Sequence, residues 1–142
     1  MFSRISRLTA LALALSPALA LAELPALTVD VVDADPATGT IEISLFNSAE
    51  GFLKQTYEQR PCKPAEDGRC SVTFAALEEG DYAVVVVHDA NDNKKLDNGF
   101  LGFGAESFAY SNGASNPLFG RADFEDARIT VTETATIEIS LD

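Results

Sequence analysis

The chain has 142 residues, of which 22 are acidic and 10 basic, for a formal net charge of −12. That length holds one domain with at most a small appendage. A field of that sign repels nucleic acid and anionic lipid head groups, which excludes partners captured by charge from either class.

Residues 1–22 read as an export leader. Arg4 and Arg7 form a basic start, residues 8–15 an apolar core, Ser16-Pro17 a break, and Ala20-Leu21-Ala22 a small-x-small cleavage site. The apolar run is too short to span a bilayer, and no Cys stands at the cleavage point to take a lipid. A single domain over 23–142 is therefore expected, periplasmic or secreted from a Gram-negative bacterium, with no membrane insertion once the leader is cut. The leader holds two of the ten basic residues and none of the 22 acidic ones, which leaves 8 against 22 and a net charge of −14.

Residues 27–33 alternate imperfectly and predict a first strand. Asp35-Pro36-Ala37-Thr38-Gly39 is a turn cluster, with Pro preset for a turn position and Gly free to take positive φ. Residues 40–46 then alternate cleanly, with Ile41, Ile43 and Leu45 on one face and Thr40, Glu42 and Ser44 on the other. The two strands are expected to pair as a hairpin. Residues 47–59 carry little signal; Ser48 with Gly51-Phe52-Leu53 suits a short helical turn or an irregular edge crossing.

Cys62 and Cys70 are the only cysteines. In an exported chain such a pair predicts a disulfide, which by closing a short loop stabilises by about 2–3 kcal/mol. The spacing is not C-x-x-C, and with the lone His88 the pair makes no convincing zinc set. Residues 70–74 resume strand alternation, and Leu77-Glu78-Glu79-Gly80-Asp81-Tyr82 turns into the next strand. From 82 to 87 both faces are apolar, and four consecutive valines resist a helix. This run predicts the central strand of a sheet covered on each side.

That strand ends in a loop of alternating oxygen side chains. With Asp89 as position one, Asn91, Asn93 and Asp97 fall at positions three, five and nine, and Lys95 at position seven would offer its backbone carbonyl. Ca²⁺ takes about 6–8 oxygens at roughly 2.3–2.6 Å, so this spacing predicts a Ca²⁺ site completed by water, with Mg²⁺ as second choice. Asp92 is expected to face outward. Lys94 occupies the sharp bend where such loops favour Gly, and position twelve is Phe100 rather than a bidentate Glu. Affinity is therefore expected near the roughly 10⁻⁴–10⁻³ M of extracellular modules. The same residues also suit a turn in which they only cap their own amides.

Residues 98–120 are rich in Gly, Asn and Ser and carry Phe100, Phe103, Phe108, Tyr110 and Phe119. A structureless loop of that length is uncommon in a compact domain, so 107–110 is expected to be extended. Tyr110 and Phe119 are the rings expected at the surface, where they would form a candidate face for an envelope peptide or glycan. Residues 124–127 lead into a strand at 128–132, and 136–141 alternates again, predicting a terminal hairpin around Glu133-Thr134-Ala135. The whole reads as all-β: an antiparallel Greek-key β-sandwich of about seven strands, transthyretin-like or immunoglobulin-like. Its sheet edges suit a monomer or an edge-to-edge pair.

Leu77-x-x-Gly80-Asp81-Tyr82-Ala83-Val84, then His88-Asp89-x-Asn91-x-Asn93-x-Lys95-Leu96-Asp97, Phe100-Leu101-Gly102, Tyr110-Ser111-Asn112 and Phe124-Glu125-Asp126-Ala127 occur in that order. This series resembles the bacterial exported proteins grouped as domain of unknown function 2141, over nearly the whole expected mature chain. The resemblance implies the fold and the compartment and no activity. Family members commonly carry Asn-Gly where this chain has Asn93-Lys94.

Three readings of function compete. The first is a non-catalytic envelope module stabilised by Ca²⁺. The second is a peptide or glycan binder that uses the aromatic segment 100–119. The weakest is a hydrolase built on Ser111, His88 and an Asp, for which the sequence has neither a nucleophile elbow nor a second His. The chain is accordingly expected not to be an enzyme.

Overall fold

In a computed structural model, residues 21–92, 106–115 and 121–142 are described. Eight strands lie among them: β1 (Leu27–Val32), β2 (Thr40–Phe46), β3 (Glu58–Cys62), β4 (Cys70–Phe74), β5 (Gly80–Asp89), β6 (Phe108–Tyr110), β7 (Ile129–Val131) and β8 (Ala135–Ser140). They form two sheets, β4-β1-β8 and β3-β2-β5-β6, with β7 also paired to β5. The only helical pieces among the described residues are a 3₁₀ turn at Ser111–Gly113 and one α-turn, α1 (Phe124–Ala127). The chain is an all-β sandwich.

β5 is the central strand, as its apolar run requires. Tyr82, Val84 and Val86 face the three-stranded sheet and pack with Leu27, Val29, Val31, Ile41, Ile43, Leu45 and Phe74. Ala83, Val85 and Val87 point the other way, into a second core with Phe46, Phe52, Tyr110 and Phe124. Loop residues 49–53 and the segment around α1 thus cover the outer face of the larger sheet, and each buried valine stabilises by about 2 kcal/mol.

Both expected hairpins are replaced by crossings between sheets. β1 and β2 face each other across the core, since β1 pairs with β4 and β2 with β3 and β5. The alternation of the two strands holds, but one apolar face per strand is also what two opposed sheets require. The seven-residue connection 33–39 is longer than the favoured two-residue hairpin loop. At the chain's other end, β7 pairs with the first residues of β5, while β8 lies parallel to β1 with Leu27 opposite Ala135. That parallel pair is the departure from an antiparallel sandwich. It arises because β5 beyond the reach of β6 and the free side of β1 each need a partner, and one hairpin cannot serve both.

β3 is a strand the sequence does not announce. Its residues, Glu-Gln-Arg-Pro-Cys, lack apolar alternation because it is an edge strand, where charge and a proline without an N–H are tolerated. The disulfide forms as expected, with a Cα–Cα distance of 6.2 Å. Cys62 ends β3 in one sheet and Cys70 starts β4 in the other, so the bond ties the two sheets at their shared edge.

Candidate functional site

The β1–β2 connection and the end of β5 meet at one end of the sandwich. His88 and Asp89 are buried there, Asp89 being 4% exposed. The His88 backbone amide donates to Ser107 O at 2.9 Å, and its Nε2 donates to Thr38 O at 2.6 Å. This fixes the imidazole as a brace between turn and strand. Gly39, at φ +68°, lies directly against the Asp89 carbonyl and the Ala90 Cα.

Beyond β5 the chain turns back. The Asp92 amide reaches the Asp89 carbonyl at 3.4 Å, Asp92 adopts φ +54°, and Thr40 Oγ1 donates to its carboxylate at 2.5 Å. Asp92 is exposed, as expected, and it joins Asp89, Thr40, Glu42, Pro61, Cys62 and Lys63 around an open cleft of about 570 Å³. Three carboxylates and one ammonium line that cleft, a balance that attracts cations. Glu42 already accepts from Gln59 Nε2 at 3.0 Å. Among the described residues no three of His, Cys, Asp and Glu stand close enough together to hold a metal ion.

Of the expected Ca²⁺ ligands, Asp89 caps the strand and Asn91 is exposed in the turn after it. Asn93, Lys95 and Asp97 lie outside the described residues, as does Phe119. The cleft thus gathers the first carboxylate of the series with two acids that the spacing does not select. Glu42 and Asp92 are reachable only through the pairing of β2 with β5, which sets Thr40 opposite Asp89.

The chain matches the family model described as "Uncharacterized protein conserved in bacteria (DUF2141)" over residues 29–139. It belongs to the DUF2141 family. No curated protein and no solved structure matches it, so the likeness to transthyretin-like sandwiches rests on sequence pattern alone.

In this DUF2141 chain, the Tyr110-Ser111-Asn112 segment proves to hold the sheet together. Ser111 is fully buried; its Oγ accepts from the Val84 amide at 2.9 Å and donates to Ala127 O at 2.5 Å. Asn112 takes φ +59° and donates from Nδ2 to Arg128 O. β5 pairs with β7 up to Tyr82 and with β6 from Val85, and Ser111 fills the gap between these ladders. Sequence reasoning missed this role; a serine directly after a three-residue strand was the one available sign. Ser111 and His88 are held by different backbone groups and form no dyad.

Tyr110, expected at the surface, is 4% exposed and packs against Phe52 and Phe108, with ring centroids 6.2 and 5.8 Å away. It offers no ligand face. Alternation along β6 carries Phe108 and Tyr110 to the outer core, where α1 and Phe52 cover them. The Tyr110 hydroxyl is buried without a hydrogen-bond partner. Burial pushes its pKa above 10.0, against smaller downward pulls from the Ala122 amide and the Arg121 charge.

Tyr110→Phe removes an orphaned hydroxyl, so stability at neutral pH is expected to stay the same or rise by up to about 1 kcal/mol. A phenol raised in the folded state stabilises below its unfolded pKa of 10.0, and that stability is lost as pH rises through the folded value. The wild type should therefore lose stability faster than Tyr110→Phe above pH 10.0. Urea midpoints at neutral pH and above pH 10.0 check this; a clear loss in the variant at neutral pH would mean that the hydroxyl is bonded.

Proposed function

We propose that this chain is an exported, non-catalytic β-sandwich module of the bacterial envelope, stabilised by a weak Ca²⁺ site in the loop after β5. The observation that carries the reading is Asp89, a buried carboxylate at the end of the central strand, lining a cleft with Asp92 and Glu42. Asp89, Asn91, Asn93, the Lys95 carbonyl and Asp97 are the proposed ligands, and Asp92 and Glu42 add negative potential close by. Such an ion would supply no chemistry. It would fix the loop against β2 and β5.

Export is supported by the leader pattern in residues 1–22 and by the exposed stretch behind it. Leu21 and Leu24 are 93% and 56% exposed, and among the described residues the first backbone anchor is Pro25, whose carbonyl accepts from the Leu77 amide. A cleavage site needs an accessible stretch of this kind ahead of the folded domain.

The test is a thermal melt in millimolar Ca²⁺ against EDTA. An ion that binds only the native state adds about 1.4 kcal/mol at ten times its Kd. The melting midpoint should then rise by roughly 5 °C for a domain of this size. Asp97→Ala should abolish the difference while leaving the EDTA midpoint unchanged. Equal midpoints in Ca²⁺ and EDTA for the wild type would remove the ion from the proposal.

A further inference from the structure

We propose that the free edge of β8 binds an extended, basic peptide segment by strand addition. β8 ends the order β4-β1-β8, and among the described residues no strand pairs with its other side. The Ala135 amide donates to Ala26 O at 2.9 Å and the Leu141 amide to Val32 O at 3.1 Å. In a parallel ladder alternate residues serve the partner, so the odd-numbered positions of β8 bond to β1. Thr136, Glu138 and Ser140 accordingly turn their N–H and C=O groups outward.

The sandwich treats its edges unequally. On one side, β3 carries Arg60 and Pro61, and the Cys62–Cys70 disulfide ties it to β4. These are recognised devices against unwanted pairing. β8 has none of them. Its sequence, Ala-Thr-Ile-Glu-Ile-Ser, alternates regularly, is rich in β-branched residues and contains no Pro or Lys. An open groove of about 390 Å³ runs beside it, with Tyr110, Gly113 and Ala114 on the β6 side and Glu138, Ser140 and Asp142 on the β8 side.

Charge selects the occupant. Among the described residues, those lining the groove include two carboxylates and no base. The Glu138 side chain is 64% exposed, and its ion pair with Arg69 is long, at 3.9 Å. A second copy of this chain would bring the same carboxylates and a net charge of −12 to the edge, and like charges facing across strands are destabilising. A strand with Lys or Arg at alternate positions satisfies both the backbone and the acids. This inference is independent of the cation site.

The probe is an eight-residue peptide of alternating Lys and Val, compared with its Glu-Val counterpart and with a Lys-Val peptide N-methylated at every second residue. Fluorescence anisotropy on the full domain should show binding of the Lys-Val peptide only. Amide exchange at Thr136, Glu138 and Ser140 should slow on binding. Glu138→Pro deletes one outward N–H without touching the β1 ladder, and should weaken binding by about tenfold or more. If that variant melts early, the N-methylated peptide carries the same test on the unaltered protein. Equal binding of the methylated peptide, no binding of the Lys-Val peptide, or self-association with protection of the same amides would each overturn the proposal.

Discussion

Gly39→Ala is expected to destabilise the domain by about 3 kcal/mol, the sum of two separate costs. Gly39 sits at φ +68°, and a Cβ there would stand 2.0 Å from the Asp89 carbonyl oxygen and 2.6 Å from the Ala90 Cα. The left-handed backbone costs an L-residue roughly 1–2 kcal/mol. The clash adds roughly 1–3 kcal/mol, because both neighbours are main chain and cannot swing aside. The melting midpoint of a domain of this size should then fall by about 10 °C or more. Gly39→Asn separates the two costs, since Asn tolerates positive φ but still carries a Cβ. Equal losses in both variants would identify the clash as dominant. A melting midpoint for Gly39→Ala indistinguishable from wild type, by a scan on purified protein, would show that the turn does not press on Asp89.

Ser111→Ala is expected to cost about 2–4 kcal/mol, because it strands two buried backbone groups at once. The Val84 amide loses its acceptor, the Ala127 carbonyl loses its donor, and the site is sealed from replacement water by full burial. Urea unfolding should show a lower midpoint with an unchanged slope, since the same surface is exposed on unfolding. Hydrogen exchange should speed up at Val84 more than at Val85, whose amide faces β2 instead. A variant with a wild-type midpoint would mean that β6 and β7 are joined by other contacts.

The parts of the fold legible in the sequence are those in which periodicity and burial coincide. Residues 82–87 announce a doubly buried strand because neither face carries a charge, and the structure puts a core on each side of it. β3 is invisible for the opposite reason, since an edge strand needs no apolar face and Glu58–Cys62 has none. Alternation alone misassigns strand partners: Ile41 and Val29 face the same core whether their strands are neighbours or opposed. The candidate site is legible only along the chain. Asp89 can be selected from its spacing, whereas Glu42 and Asp92 enter through the β2–β5 register and a left-handed residue, neither of which a linear motif encodes. Tyr110 goes to the wrong side in a sequence reading because the aromatic segment has no strict period until β6 supplies one.

The parallel pairing of β1 with β8 joins positions 108 residues apart, as the bond from the Ala26 amide to Thr134 Oγ1 also does. Contacts that span nearly a whole domain form late, because the intervening chain must be ordered first. A polypeptide delivered from its amino end has to wait for its final strand before the smaller sheet can close. Until then Val29 and Val31 have β4 beside them but no neighbour on the other flank.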